Sequence, residues 1–353
     1  MTFKIIPKSV LAEWFDALNR DYRVLGPKPK AGQFIFDEIQ TIEDVDLEYP
    51  TTILPPKKVL LPTKEVLFSF DANESQFEPQ IEAVPVIILG IHTCDMHAIA
   101  LLDHVFSSGY PDQHYLARRT KTTLISIECL KPCSEHAFCK DTGTLSVTEE
   151  FDLHLTDLGE DYAVDIGSEK GELIMANAPG VREAEIDDYQ RLETVMSQKW
   201  ARFPYRLNFD VSELPSLLSV SYDSILWKIL GTKCMGCGSC TVVCPTCYCF
   251  DVVDEIDFSL ETGERIRVWD SCQLNMFATV ADGHNFRESH GARVRHRFFR
   301  KGKYLASAYG QRGCVGCGRC AQACLAHITP IETFNELYRR QFLTVYEPRG
   351  TMP

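Results

Sequence analysis

The chain has 353 residues, 45% of them hydrophobic and 24% charged, a composition that suits one large globular domain or two. Its formal net charge of −13 argues against a nucleic-acid partner, because phosphate binding needs a basic surface. No apolar run approaches the ~18 residues that would span a membrane, and fifteen cysteines in so long a chain are too sparse for a disulfide scaffold.

The N-terminus, Met1 to Ser9, lacks a secretory apolar region and an acylation signal, so a cytoplasmic location is expected. In that reducing compartment clustered cysteines read as metal ligands. Apolar residues recur at helical spacing over Val10–Leu18 and predict a helix. Strand-like runs follow at Lys58–Leu61, Val84–Leu89 and Thr122–Ile127, with an amphipathic helix at Met96–Phe106 between the last two. Strand, helix, strand suggests a parallel α/β arrangement. Short alternating pieces around 140–175 suggest added antiparallel strands, and 181–233 reads mainly as helix.

The cysteines divide the chain: four lie between 94 and 139, none between 140 and 233, and eleven between 234 and 324. The expected organisation is an α/β or α+β domain over 1–215 and a helix-rich two-cluster ferredoxin domain over 216–353. The second half carries an internal repeat. Cys-Met-Gly-Cys-Gly-Ser-Cys-Thr-Val-Val-Cys runs from 234 to 244, and Cys-Val-Gly-Cys-Gly-Arg-Cys-Ala-Gln-Ala-Cys from 314 to 324. Each is C-x2-C-x2-C-x3-C, the bacterial ferredoxin spacing, in which the fourth cysteine of a run ligates the other cluster. This assigns Cys234, Cys237, Cys240 and Cys324 to one [4Fe–4S] cluster, and Cys314, Cys317, Cys320 and Cys244 to a second; uncrossed ligation is the alternative. Paired zinc sites are the rival chemistry, but zinc runs favour two Cys-x-x-Cys pairs over a triplet plus one. The proline that usually follows the fourth cysteine is present as Pro245 and replaced by Leu325 in the second run.

Other cysteines need separate readings. Cys94 and Cys129 follow two predicted strands, and Cys133 and Cys139 lie just beyond. If the strands are parallel neighbours, the four converge on the carboxyl edge of the sheet, where they could hold a third [4Fe–4S] cluster; buried structural thiols are the alternative. His92 and His97 flank Cys94 and could be ligands, although core or surface roles are the favoured reading. Cys247, Cys249 and Cys272 have no assigned partner; packing and tuning of a nearby cluster is favoured over a metal site with an exogenous ligand. The basic run Asn285–Lys303 interleaves Arg with aromatics and reads as charge compensation for anionic clusters or docking of an acidic partner, with a solvated face as the bland alternative. No G-x-G-x-x-G follows a strand and no P-loop appears, so no flavin or NAD site is expected. No C-x-x-C pairs stand in the arrangement of a nickel–iron site.

Several stretches together resemble the β subunit of sulfhydrogenase, a cytoplasmic nickel–iron hydrogenase that also reduces sulfur, and more distantly the A-type subunit of anaerobic sulfite reductase. They are Thr52–Lys58, Gly90–Asp95, Tyr115–Arg119, Cys244–Cys249, Trp269–Cys272, Gly283–Arg287 and Cys314–Cys320. The resemblance implies a non-catalytic electron-transfer role within a complex. Electrons would pass between an FAD- and NAD(P)H-binding γ-type subunit on one side and a catalytic subunit on the other. The latter would be a nickel–iron hydrogenase large and small pair, or else a sirohaem sulfite reductase. The resemblance also implies ligand roles for Cys94, Cys129 and Cys139. Relatives tend to have Cys-Phe-Cys where this chain has Ala137-Phe138-Cys139, which leaves Cys133 as a replacement ligand or the front cluster with an open iron. An open iron that reduces a small sulfur substrate directly is a second alternative.

Overall fold

The computed structural model describes residues 3–71, 73–74 and 76–346, so the end of the expected 216–353 domain lies outside the described residues. The chain forms two compact units, each discontinuous in sequence. The first comprises 1–134, 144–203 and 250–269; the second comprises 135–143, 204–249 and 270–353. The division therefore departs from a single break at 215/216: residues 204–215 belong to the second unit, and 135–143 and 250–269 each join the unit remote from them in sequence.

The first unit is built on an eight-stranded mixed sheet. Its strands are β1 (Lys4–Pro7), β2 (Arg23–Lys30), β3 (Gln33–Glu38), β6 (Val86–His92), β7 (Thr122–Ile127), β8 (Leu153–Asp157), β9 (Asp161–Ile166) and β10 (Arg182–Glu183). They lie in the order β10-β1-β9-β8-β7-β6-β2-β3. The centre is parallel: β2 pairs with β6, β6 with β7, and β7 with β8. Every residue of β6 and β7 is buried, as the unbroken apolar runs of a covered parallel sheet require. The expected parallel pair is present, joined through helices Thr93–Ser107 and Gln113–Lys121. The antiparallel β8–β9 hairpin falls in the expected 140–175 region.

The helix Leu11–Asp21 buries Leu11, Trp14, Phe15 and Leu18, one stripe at helical period, against Ile87, Leu89, Ile125 and Ile127 of the central strands. Gly90 has φ +75° and sits at a register shift between β6 and β7; a Cβ there would lie 2.8 Å from Leu47. This bulge changes the direction of β6 just before its carboxyl end.

One expected strand is absent. Lys58–Leu61 is not extended; Lys57–Leu60 forms one helical turn entered through Pro55 and Pro56. A four-residue apolar run cannot distinguish the two states by period, and two prolines favour helix entry. Lys57 is only 2% exposed, with its ammonium 4.3 Å above the Trp269 ring.

Trp269 ends a second, antiparallel sheet in the same unit. This contains β4 (Lys64–Asp71), β5 (Gln76–Pro79), β11 (Phe250–Ile256) and β12 (Thr262–Trp269), in the order β11-β12-β4-β5. The buried Arg267 guanidinium on β12 bonds Glu65 at 2.7 Å and also Asp112, and Arg118 meets the same Glu65 at 2.5 Å.

The second unit contains the helices Leu214–Val220, Ile225–Lys233, His290–Phe299 and Pro330–Tyr346, with short turns between them. Trp227, Val294, Phe298, Phe299, Phe334 and Leu337 form its core. The Trp227 indole N–H donates to the Ser221 carbonyl at 2.7 Å, which satisfies its buried polar atom.

Candidate metal centre

The two cysteine runs fold alike. Gly236 and Gly238 take φ of +66° and +79°, and Gly316 and Gly318 take +68° and +77°. A one-turn helix follows each: Ser239–Val242 and Arg319–Gln322. Left-handed glycines turn the backbone N–H groups toward the sulfurs; the Gly236 N–H reaches Cys234 Sγ at 3.4 Å. The second loop also needs glycine for space. The segment His136–Cys139 lies across it, and the Phe138 N–H donates to the Gly316 carbonyl at 2.8 Å. A Cβ on Gly316 would stand 2.6 Å from the Cys139 nitrogen.

Each loop borders a cavity. The first cavity, partly open to solvent, is lined by Cys234, Cys237, Cys240 and Cys324 beside Gln273 and Leu325. The second, also partly open, is lined by Cys314, Cys317, Cys320 and Cys244 beside Phe138, Arg297, Lys301 and Phe334. Each thus brings together three cysteines of one run with the fourth of the other. Around one zinc ion four sulfurs would stand about 2.3 Å from a common point. Among the described residues no group of three or more His, Cys, Asp or Glu is gathered closely enough to hold a single ion. Four cysteines bordering each pocket, without the close convergence of a single-ion site, suit a larger inorganic group held by several sulfurs.

The charge around the cavities has the matching sign. Arg293, Arg297 and Lys301 recur every fourth residue and are all buried. Lys301 lies in a π-helical turn, Arg300–Tyr304, that continues the helix His290–Phe299. Arg297 donates to the Cys240 carbonyl at 3.2 Å, and its Nε has no hydrogen-bond partner. Lys301 donates to Thr246 Oγ1 at 2.5 Å, and that hydroxyl donates to the Gly313 carbonyl at 2.6 Å. Burial works against both charges, yet the facing sulfurs outweigh it. Cys240, Cys320, Cys244 and Cys247 hold Arg297 above its ordinary pKa, and Cys244 and Cys247 do the same for Lys301. Among the described residues neither cation has a carboxylate partner. Two buried cations without a carboxylate call for another anion. Thiolate-ligated iron–sulfur clusters supply one, and eight sulfurs around two voids suit that donor chemistry.

The remaining candidates lie elsewhere. Cys94 is buried in the first turn of Thr93–Ser107, just beyond β6, and Cys129 follows β7. Thr93 Oγ1 approaches Cys129 Sγ at 3.8 Å. These two and Cys133 belong to the first unit, while Cys139 begins a short helix of the second. His92 stacks on Tyr49 at 4.1 Å, and a His97 ring nitrogen bonds the Ser146 carbonyl at 2.8 Å. Cys247, Cys249 and Cys272 gather in the second unit, outside both cavity linings. The sequence reading missed Arg297, Lys301 and Thr246 as individual site residues. The signal available was the four-residue spacing Arg293, Arg297, Lys301, which places three cations on one helical face.

Residues 233–328 match the family model described as a 4Fe-4S dicluster domain. The chain is 34% identical over 327 residues to the sulfhydrogenase 2 subunit beta of Pyrococcus furiosus, an alignment that covers 92% of this chain and 95% of that protein. No solved structure matches the chain.

Proposed function

The chain belongs to the sulfhydrogenase β-subunit family, and from that membership we propose that it is the iron–sulfur relay of a multi-subunit cytoplasmic oxidoreductase. Two [4Fe–4S] clusters would be held by crossed sets, Cys234, Cys237, Cys240 and Cys324 in one and Cys314, Cys317, Cys320 and Cys244 in the other. The observation that carries this reading is the composition of the two cavities, four cysteines each, three from one run and one from the other. Each cluster, when bound, supplies a one-electron redox couple. The chain's own groups position and compensate it: glycine-turned N–H groups face the sulfurs, and Arg297 and Lys301 offset the negative charge.

The partners follow from the family's reading. A flavin- and NAD(P)H-binding γ-type subunit stands on one side and a catalytic subunit on the other, the first choice being a nickel–iron hydrogenase pair. The catalytic unit of a sulfite reductase is the alternative. The second unit would form an elaborated helical ferredoxin module. Cys94, Cys129, Cys133 and Cys139 are the ligands proposed for a third cluster. The chain itself is a carrier in this account, not the catalyst.

The test is anaerobic purification of the tagged full-length chain from its native host, with identification of the proteins that accompany it. The expected result is a flavoprotein through which NAD(P)H bleaches the iron–sulfur absorbance, together with a hydrogenase pair. Turnover of a sulfur substrate by the isolated chain with a dye reductant would overturn the carrier role. A sulfite reductase in place of the hydrogenase would select the alternative.

A further inference from the structure

Three cysteines of the second unit, Cys247, Cys249 and Cys272, line neither cavity. The chain leaves this unit after Cys249 and re-enters it at Asp270. There the Asp270 backbone N–H donates to the Cys249 carbonyl at 3.0 Å. That bond fixes the two passages side by side, and it leaves the Cys249 and Cys272 side chains close enough to perturb one another directly. Cys272 is 3% exposed and is approached by the Gln273 amide, Nε2 to Sγ 3.6 Å. Cys249 is half-buried, so water and small reagents reach one partner of the pair. Cys247 stands close by and is bonded by Lys301. Arg300, held by the Tyr248 hydroxyl, adds positive charge near Cys249. The three thiols are not gathered to hold one metal ion, since among the described residues no such group exists.

We propose that Cys249 and Cys272 form a redox-active thiol–disulfide couple, a two-electron site beside the cysteine-lined cavities. The inference rests on the relay reading for its electron donor. In the reducing direction the Sγ–Sγ bond between Cys249 and Cys272 breaks. The pair takes up two electrons and two protons and becomes two thiols. The electrons arrive singly from reduced low-potential iron–sulfur donors of this chain, and the protons come from water at Cys249. Oxidation reverses each change. The chemistry of the pair fits. The neighbouring Cys272, aided by Arg300, holds the Cys249 thiol below its usual range, while Cys249 and then burial push Cys272 up. The two thiols therefore differ in acidity, Cys249 being the readier of the pair to react. The couple would join two separately delivered electrons into one two-electron store, and its disulfide would close the stem between residues 249 and 270.

The experiment uses the full-length chain purified without oxygen. One portion is oxidised with thionine and another reduced with dithionite; free thiols are then blocked with iodoacetamide and the digests weighed by mass spectrometry. The oxidised portion should contain a Cys249–Cys272 cross-linked peptide that is missing from the reduced one. Reductive titration of the wild type should take up about two electrons per chain more than Cys249→Ser or Cys272→Ser, the equivalent of one disulfide. Iron content should stay the same in both variants, and Cys247→Ser should keep the full electron count. Alkylation of both cysteines in the oxidised wild type would overturn the proposal. So would equal electron counts, or loss of iron from both variants, which would mark them as ligands instead. A wild type with the cross-link but without iron would sink the relay reading alone.

Discussion

Arg297 and Lys301 illustrate how residue-level chemistry was only half legible. The cysteine spacing points directly to candidate ligands, because three sulfurs two residues apart can face one body only around a tight loop. A basic run carries no such geometry, and most are solvated. What distinguishes these cations is burial beside sulfurs and the four-residue interval that aligns them. A unit charge at about 7 Å shifts a redox centre by about 2 kcal/mol at an effective dielectric of ~20, or about 100 mV for one electron. Lys301→Met should therefore lower the midpoint potential of the cluster in the second cavity by tens of millivolts up to about that size. Potentiometric titration followed by electron paramagnetic resonance measures it, and an unchanged or raised potential would count against charge compensation. Gly316 makes a steric prediction. Ala at φ +68° with a Cβ 2.6 Å from Cys139 N should cost about 1–3 kcal/mol for the backbone alone. Gly316→Ala should also shed about half of the iron of a two-cluster chain, assayed by metal analysis and chemical denaturation; full iron at wild-type stability would contradict the tight loop.

At the scale of elements, β6 and β7 were readable because a fully buried parallel strand is an unbroken apolar run. The helix Leu11–Asp21 was readable from its apolar period. The hairpin β11–β12 was not, since its partner β4 lies far back in the chain and the Arg267–Glu65 pair joins positions about two hundred residues apart. No local pattern announces such a pairing. Nor does any announce Lys199 on the helix Ile186–Arg202. It is fully buried and donates to Glu128 at 2.6 Å, the Leu145 carbonyl at 2.8 Å and Ser146 at 2.7 Å. Burial raises the Glu128 carboxyl, but His154 and Lys199 outweigh it and leave the pKa below the ordinary value. The stabilisation from that shift is present above the unfolded carboxyl's pKa near ~4.3 and is lost as pH falls through the folded value. Lys199→Met leaves the carboxylate buried with less compensation and should destabilise the first unit by about 3–5 kcal/mol at neutral pH. The variant's deficit should shrink in acid as Glu128 takes a proton. Urea denaturation at pH 7 and at pH 4 checks both, and an equal deficit at the two values would exclude this origin.

For the whole molecule, composition set the boundaries: an acidic chain, sparse in cysteine for a disulfide scaffold. Among the described residues no helix is long and apolar enough to cross a membrane. The organisation differs from the sequence expectation in its continuity. Segments 135–143 and 250–269 exchange sides, which a scan for composition shifts cannot detect because the exchange is made by tertiary packing. The same exchange assigns Cys139 to the second unit, while Cys94, Cys129 and Cys133 belong to the first. The account depends most on two cubane clusters in two cavities. Its most direct test is iron and acid-labile sulfide counted per full-length chain after anaerobic purification. The prediction is at least about eight of each, four per [4Fe–4S] cluster. Zinc without labile sulfide, or only about four iron atoms per chain, would contradict it.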